Sequence, residues 1–317
     1  MVKLFRPAPL GVDLGSGSIK VIGLRTNKVS IAASMNISSS EREDDTLFIN
    51  SLHNFFKELN IIGKEASVQI PSSFSFIRTI TLPLMPKSEL KEAVRWEIKR
   101  QLPYSAENAV YDYVAKQGAD GIIVTFASTE RENINRHIFP LKESGLRITS
   151  VDINPLCLIR AIPLNSPGNV IILDIGAKVM EIDIVKAGAL RLTRSVDMGG
   201  EHLKNHLLNE GFSEEEADNI LMNGPAEKMR DILNQILKEI FRSIDYYKAT
   251  FKEKTFEAVI LTGGVAVSSA IREYFSGVFD VPVSAPNPFN GLVLKDEKIR
   301  KLGSMFSVAI GLARRGS

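Results

Sequence analysis

Apolar runs separated by short polar breaks predict several strands and one helix at the start of the chain. Residues 9–24 read as two strands joined by a tight glycine turn, and residues 29–37 form a third apolar run. The polar residues 38–45 predict a loop. Residues 51–60 place their large apolar side chains at helical spacing, and residues 66–70 read as a short strand. We therefore expect the order strand, strand, strand, helix, strand.

The next stretch continues to alternate between strands and helices. Trp96 lies off the apolar stripe of its predicted helix, so it either packs under the next strand, which we favour, or lines a peptide groove. The run VYDYVAKQ is a candidate for an exposed strand edge to which an extended peptide could add. The predicted strands cover residues 74–83, 109–116, 121–128 and 147–152, and the predicted helices cover residues 88–102 and 130–144.

The pattern of the opening residues returns about 160 residues later, which indicates two related domains rather than a solenoid. Residues 169–200 again contain an apolar strand, an aspartate, a glycine turn and two more strands. A capping box at Ser213 starts a helix that stops at Gly224. The remaining predicted elements are a helix from Pro225 to near Thr250, a strand at 256–264, and helices at 268–276 and 304–315.

Composition limits the class of protein. A chain of 317 residues can form two domains of about 150 residues each. Hydrophobic residues make up 44% and charged residues 24%, which is typical of a globular protein, and a net charge of +2 does not indicate a nucleic-acid partner. The single cysteine, Cys157, lies in an apolar context and is predicted to be a buried, inert thiol. No apolar run reaches the span of about 18 residues that crosses a bilayer, so we expect a cytoplasmic protein.

The turn GVDLGSGSIK has the residues of a phosphate-binding hairpin. Backbone N–H groups at a glycine turn can cradle phosphate oxygens, and two serine hydroxyls and a lysine add donors. Asp13 fits beside the phosphates if Mg²⁺ lies between them, bound through water. A single turn of this kind is common in hairpins and is weak evidence alone. The candidate residues of this first turn are Asp13, Gly15, Ser16, Gly17, Ser18 and Lys20.

Further glycine turns strengthen the case for a nucleotide site. A second Asp-Gly turn mirrors the first, so two hairpins, one from each domain, could hold a polyphosphate with both aspartates around one hydrated Mg²⁺. A third turn ends a strand, where glycines would let an adenosine lie against the backbone, and a Gly-Gly pair precedes a helix N-terminus. These features together predict ATP. The added candidates are Asp174, Gly176 and Ala177, then Gly199 and Gly200, and then Gly263, Gly264 and Val265.

The order of these motifs resembles the actin-like ATPase superfamily, which includes actin, DnaK-type chaperones, sugar kinases and FtsA. Within it, the sequence most resembles the PilM family of type IV pilus assembly, over nearly the whole chain. The helix with RWE and QLPY and the segment SIDYYKAT are far more diagnostic than the glycine turns. The other segments that carry the resemblance are ESGLRITSVDINPLCLIRAI, LDIGAKVMEIDIV with RSVDMGGEHL, LTGGVA, VPVSAPNPF and VAIGLARR.

The resemblance implies an α/β protein with the actin-like, ribonuclease H-like two-domain ATPase fold and an inserted small subdomain. The first domain would span residues 1–168, with the insertion near 74–145, and the second would span residues 169–317, with a subdomain near 201–254. It further implies a scaffold at the inner face of the inner membrane, held there by its partner. That partner would be the N-terminal cytoplasmic tail of a PilN-like bitopic protein, with pilus assembly ATPases as further candidates.

Two departures from the family pattern predict slow or negligible ATP hydrolysis. Where relatives usually carry a glutamate that can activate the attacking water, this chain has Asn154, whose amide can hold a water but cannot accept its proton. On the helix flanking the adenosine, the acidic residue is Asp218 and the usual lysine is Leu221. The alternatives are a small-molecule kinase of the same superfamily and the cytoplasmic part of a type II secretion L-protein.

Overall fold

The computed structural model describes residues 10–118, 121–164 and 166–315. In chain order, the first half contains β1 (Leu10–Leu14), β2 (Ser18–Arg25), β3 (Lys28–Asn36), α1 (Ser39–Glu43), α2 (Asp45–Glu58), β4 (Glu65–Ile70), β5 (Phe76–Leu82), α3 (Lys87–Gln101), β6 (Ala109–Gly118), β7 (Gly121–Glu130), α4 (Arg131–Glu143), β8 (Arg147–Ile153) and α5 (Asn154–Ala161). The second half contains β9 (Asn169–Ile175), β10 (Met180–Lys186), β11 (Ala189–Val196), α6 (Gly200–Asn209), α7 (Glu214–Asn223), α8 (Arg230–Phe251), β12 (Ala258–Thr262), α9 (Ser269–Ser276), β13 (Val283–Ser284), α10 (Glu297–Lys301) and α11 (Ser307–Ala313).

Two five-stranded sheets have the same topology. The first has the order β3-β2-β1-β4-β8 and the second has the order β11-β10-β9-β12-β13. In each, a three-stranded antiparallel meander comes first in the chain and two strands then join it in parallel. The repeat seen in the sequence is therefore a repeat of sheet topology, and it places the two Asp-Gly turns at equivalent hairpins.

Alternation along the strands distributes apolar side chains to both faces of each sheet. In the first sheet, Val12 and Val68 pack with Leu52 and Phe56 of α2 and with Leu141 of α4. In the second sheet, alternate apolar residues of β9 and β10 pack against the long helix α8. The opposite faces share one core with α5 and α11, which joins residues of both halves, such as Ile22, Ile172, Cys157 and Ile310. The close approach of α5 and α11 requires Gly311, because a Cβ there would lie 2.0 Å from the carbonyl oxygen of Cys157.

A three-stranded sheet, in the order β5-β7-β6, forms the inserted unit together with α3. Val94 and Ile98 of α3 pack against Phe126 on one face of this sheet. On the other side, the hydroxyl of Thr79 donates to the carbonyl oxygen of Leu190 in β11, so the insertion contacts the second sheet. The helix α4, which the predicted insertion includes, instead packs in the core of the first sheet. The domain limits deduced from the sequence stay a prediction.

Some local predictions were wrong. Residues 38–45 are not a loop, because Ser38 caps α1 through a capping box with Glu41, and α2 begins directly afterwards. Trp96 is not packed under a strand: its exposed fraction is 66%, and Arg100 stacks over its ring. The buried, free thiol predicted for Cys157 is confirmed. Within the described residues, no helix combines the length and apolar character needed to cross a bilayer.

Candidate functional site

The first glycine turn lines a cavity of about 590 Å³ between the two five-stranded sheets. Asp13 of β1 lies opposite Lys20 of β2, and the Lys20 ammonium is 3.1 Å from its carboxylate. Gln69 of β4 donates to the other oxygen of Asp13 at 2.6 Å. The buried negative charge of Asp13 is therefore compensated by groups of its own domain. All six candidates of this turn line the cavity: Asp13, Gly15, Ser16, Gly17, Ser18 and Lys20.

The second turn, between β9 and β10, faces the first one directly. A Cβ on Gly17 would lie 2.8 Å from the Cβ of Ala177, and the backbone N–H of Lys178 donates to the hydroxyl of Ser16 at 3.3 Å. Asp174, Gly176 and Ala177 all line the same cavity as the first turn. The structure thus brings the two Asp-Gly turns, which lie far apart in sequence, together at one site.

Asp174 places a second carboxyl group in the cavity, close enough to Asp13 for the two charges to interact. Its carboxyl is buried in the cavity wall, and burial together with the negative charge of Asp13 raises its pKa to about 7, opposed by Lys20. A divalent cation beside Asp13 and Asp174 would favour the ionised form of Asp174. Mg²⁺ commonly binds through one or two carboxylates while keeping several waters. No cluster of three or more His, Cys, Asp or Glu side chains that could hold a metal occurs in the described part of the chain.

The third turn follows β12 and supplies open backbone. Gly263 has φ of +85°, and a Cβ there would lie 2.4 Å from the carbonyl oxygen of Ile175, so only glycine fits. Gly264 has ordinary helical angles, and nothing lies within 4 Å of the position its Cβ would take. Gly263, Gly264 and Val265 line the cavity. This wall can therefore receive a planar group against its backbone.

The Gly-Gly pair before α6 divides into two roles. Gly200 lines the cavity, and its N–H donates to the carbonyl oxygen of Gly176 at 2.9 Å. Gly199 is not among the lining residues and instead packs behind the second turn. A Cβ on Gly199 would lie 2.5 Å from the carbonyl oxygen of Ala177. Glycine is therefore needed at position 199 because the backbone of the second turn lies so close, and not because a ligand contacts it.

Asn154, the first residue of α5, faces an acidic residue that sequence reasoning missed. Glu181 of β10 lines the cavity and accepts a hydrogen bond from the hydroxyl of Ser72. Burial and the charge of Asp183 raise the pKa of Glu181 well above its usual range, against hydrogen bonds from Ser72 and Asn154. The Oδ1 atom of Asn154 and the Oε2 atom of Glu181 are both buried without a hydrogen-bond partner. Two adjacent polar groups are thus left for a ligand or water.

Two cations of the cavity were also missed. Arg42 of α1 lines the cavity, and its guanidinium donates to the carbonyl oxygen of Gly15, which fastens α1 to the first turn. Lys204 of α6 lies in the wall beside Leu221 and forms ion pairs with Glu214 at 2.6 Å and Asp218 at 2.9 Å. The charge of Lys204 is therefore offset by these two carboxylates. The capping box at Ser38 was the available signal for α1.

A family model described as type IV pilus assembly protein PilM matches residues 11–317. The cell division protein FtsA of Neisseria meningitidis serogroup B is 26% identical over an alignment of 225 residues, and the match covers 60% of this chain. The chain spans 52% of that relative, about half of its length.

Solved structures share the fold. A structure described as the PilM-PilN type IV pilus biogenesis complex has a TM-score of 0.84 at 19% identity, covering 98% of this chain and 99% of that one. The ethanolamine utilization protein EutJ of Carboxydothermus hydrogenoformans has a TM-score of 0.62 at 18% identity, covering 98% and 91%. MreB5 of Spiroplasma citri has a TM-score of 0.53 at 12% identity, covering 95% and 93%.

These likenesses confirm the predicted α/β, actin-like fold. The family match covers nearly the whole chain and agrees with the resemblance carried by the sequence motifs. The chain belongs to the PilM family of type IV pilus assembly proteins.

Proposed function

We propose that the protein is an ATP-binding scaffold of the inner-membrane complex that assembles type IV pili. It docks the N-terminal cytoplasmic tail of a PilN-like bitopic protein, which holds it at the inner face of the membrane, and it hydrolyses ATP slowly or not at all. The observation that supports ATP binding is the pair of Asp-Gly turns that face each other across one cavity, with Ala177 opposite Gly17.

The residues of the cavity suit a nucleoside triphosphate with Mg²⁺. A volume of about 590 Å³ lies within the range of small-ligand sites. Backbone N–H groups of the two turns and Lys20 would bind the phosphates, and Asp13 and Asp174 would hold the waters of the metal. Gly263, Gly264 and Val265 would carry the adenosine. MreB5, which shares the fold, is described as bound to AMPPNP, which supports this assignment.

Slow hydrolysis is expected because neither Asn154 nor Glu181 would be an effective general base for the attacking water. Asn154 cannot accept a proton, and the carboxyl of Glu181 beside it has a raised pKa and already accepts from Ser72. A general base needs a proton-accepting form at the working pH. Nucleotide would then act as a conformational effector. It would favour the closed arrangement of the two halves, because it contacts both walls of the cavity only when they are close together.

The inserted unit is the proposed docking region for the tail. The outer edge of β6 pairs with no strand among the described residues, and Val114 on this strand has an exposed fraction of 48%. An extended peptide can add to such an edge or lie between the insertion and its parent domain. The structural likeness to a PilM-PilN complex supports a partner of this kind. Pilus assembly ATPases remain further candidate partners.

Calorimetric titration of ATP with Mg²⁺ tests the nucleotide site. Gly264→Val keeps ordinary backbone angles and projects a side chain into open cavity, so it should abolish binding without unfolding the protein. Gly277→Val is the matched control, because Gly277 ends α9 outside the cavity and its Cβ would make only ordinary contact, 3.5 Å from Tyr274. Absence of binding in the wild type, or unchanged binding in Gly264→Val, would refute the assignment. Phosphate release at a brisk rate would refute slow turnover.

Binding of a synthetic tail peptide from the PilN-like protein tests docking. Val114→Glu at the edge of β6 should weaken binding if the peptide adds to that edge. Val293→Glu, at a position with a similar exposed fraction of 53%, is the control. Trp96 is the only tryptophan of the chain, so its fluorescence reports an event on the insertion directly. No binding to the wild type would count against docking, whereas binding unaffected by Val114→Glu would move the site away from this edge.

A further inference from the structure

A second cleft, of about 480 Å³, lies between the insertion and the second five-stranded sheet. Its walls are residues of β5, of β11 and of the C-terminal half of α8. It shares no lining residue with the proposed nucleotide cavity. The proposed function assigns no role to this second cleft. The cleft lies where the insertion contacts the second sheet, next to the hydrogen bond from the hydroxyl of Thr79 to Leu190.

The lining of this cleft is strongly basic. Arg78 comes from the insertion, and Arg191, Arg194 and Arg242 come from the second half of the chain, whereas no lining residue is acidic. Glu239 pairs with Arg194 at 2.8 Å and also with Arg242, and the charge of Arg191 acts on the carboxylate of Glu253 at longer range. Neither Arg78 nor Arg191 has a carboxylate oxygen within 4.0 Å in the described part of the chain. The cleft therefore carries an excess of positive charge.

The guanidinium groups with no carboxylate partner are held in place by aromatic rings. Arg78 stacks 4.4 Å from the ring centre of Phe76, and Arg191 stacks 5.0 Å from that of Phe251. The Nε atom of Arg191 is buried and has no hydrogen-bond partner. A buried donor without a partner is costly, so a ligand or water that accepts from it is favoured. Stacking also reduces the freedom that these side chains would lose on binding an anion.

We propose that this cleft binds a phosphate-bearing ligand. A guanidinium fork matches phosphate oxygens in geometry, and several guanidinium groups around one cavity suit a group with more than one negative charge. A phosphate monoester carries about −1.5 to −2 at neutral pH, whereas a single carboxylate carries only −1. Hydroxyls of Thr79, Ser243 and Tyr246 in the same lining add further hydrogen-bonding groups.

Such a ligand would link two parts of the molecule. It would contact Arg78 on the insertion and Arg191, Arg194 and Arg242 on the second half at once. A ligand that needs both walls binds the arrangement in which they pack together and so favours it. The cleft is therefore placed to stabilise the position of the insertion relative to the second sheet, at a distance from the nucleotide.

Titration calorimetry of inorganic pyrophosphate into the full-length protein tests the proposal, with the heats fitted to two sites because the proposed nucleotide cavity can also bind this probe. The cleft variant is the double substitution Arg78→Gln with Arg242→Gln, both at exposed positions. The control is Arg136→Gln with Arg147→Gln, which changes the net charge equally at side chains with exposed fractions of 69% and 68%, close to the 69% of Arg242. A third variant, Arg78→Lys with Arg242→Lys, keeps the charge and loses the fork.

We expect the cleft variant to bind pyrophosphate about tenfold or more weakly than the wild type, the control to match the wild type, and the lysine variant to fall between them. Malonate, which has two carboxylates and no phosphorus, should bind more weakly than pyrophosphate. Equal affinity of the cleft variant and the control, or equal binding of malonate, would overturn the proposal.

Sedimentation with vesicles distinguishes the source of the phosphate. If the wild type and the control bind phosphatidylglycerol vesicles and the cleft variant does not, the phosphate belongs to a lipid headgroup. If only pyrophosphate depends on the cleft, the ligand is a soluble phosphorylated molecule. If neither probe depends on the cleft arginines, the assignment fails.

Discussion

Lowering the pH should destabilise the protein through His137. This residue of α4 lies in the wall of the proposed nucleotide cavity, and its Nε2 atom is 2.8 Å from the main-chain carbonyl oxygen of Gln69. A carbonyl only accepts, so Nε2 carries the hydrogen. Burial lowers the pKa of His137 to about 4, assisted by the charge of Arg42 and opposed by Gln69 and Asp13.

The loss of stability at low pH arises because His137 has different pKa values in the folded and the unfolded chain. The pKa of His137 is about 4 in the folded protein, below the ordinary value of 6.5, so the unfolded chain takes up the proton first as the pH falls. The contribution of the neutral ring to stability is complete above pH 6.5 and is lost progressively down to pH 4. The full loss is about 3 kcal/mol, of which about 2 kcal/mol has gone at pH 5.

Urea unfolding of the wild type and of His137→Gln, followed by circular dichroism between pH 5 and 8, measures the contribution of His137 to the free energy of unfolding. Glutamine carries an amide that can donate to the same carbonyl but takes up no proton. The difference in unfolding free energy should be constant above pH 7 and should shift by about 2 kcal/mol in favour of the variant at pH 5. His53→Gln, at an exposed position of α2, is the control for loss of a histidine. A difference that is the same at pH 5 and pH 8 would refute the reasoning.

Three further predictions concern other buried groups. Asp183 has two buried oxygens without hydrogen-bond partners, and burial raises its pKa from 3.8 to about 7. Its ionisation therefore costs stability as the pH rises, so Asp183→Asn should unfold at higher urea than the wild type at pH 8 and lose that advantage at pH 4. Gly311→Ala should destabilise the protein by about 3 kcal/mol in the same urea assay, because its methyl group would overlap the backbone at Cys157. Cys157, buried with a raised pKa, should react with a thiol reagent only after unfolding, as a colorimetric assay in native buffer and in urea would show.

The sequence pattern predicted the elements that present one apolar face and one polar face. The hairpins around both Asp-Gly turns were found because strand alternation and turn glycines coincide there. Helix α1 was missed because it buries no residue, so it has a capping box but no apolar stripe. Helix α5 was not recognised because its side chains are buried between the two sheets, and a short, mostly apolar run has no periodicity that separates helix from strand.

The candidate site was predictable only where its residues form local motifs. The glycine turns carry their geometry within a few residues, so their positions could be read from the chain. Arg42 reaches Gly15 across 27 positions, and Ser72 reaches Glu181 across 109. Neither contact leaves a spacing rule in the sequence, because it depends on how separate elements pack. Trp96 was misjudged for a related reason, since the burial of a tryptophan depends on neighbours that no single helix pattern reveals.

The position of Glu181 also changes how the proposed absence of a general base should be tested. Restoring the family glutamate with Asn154→Glu would place a second carboxyl next to Glu181, which is already buried and has a raised pKa. Two adjacent carboxyls disfavour ionisation of one another, so the new residue would be a poor base even if the position were correct. The double variant Asn154→Glu with Glu181→Gln removes that conflict and leaves the hydroxyl of Ser72 a partner. Faster phosphate release in the double variant than in Asn154→Glu alone would show that the slow turnover resides in this pair and not in Asn154 by itself.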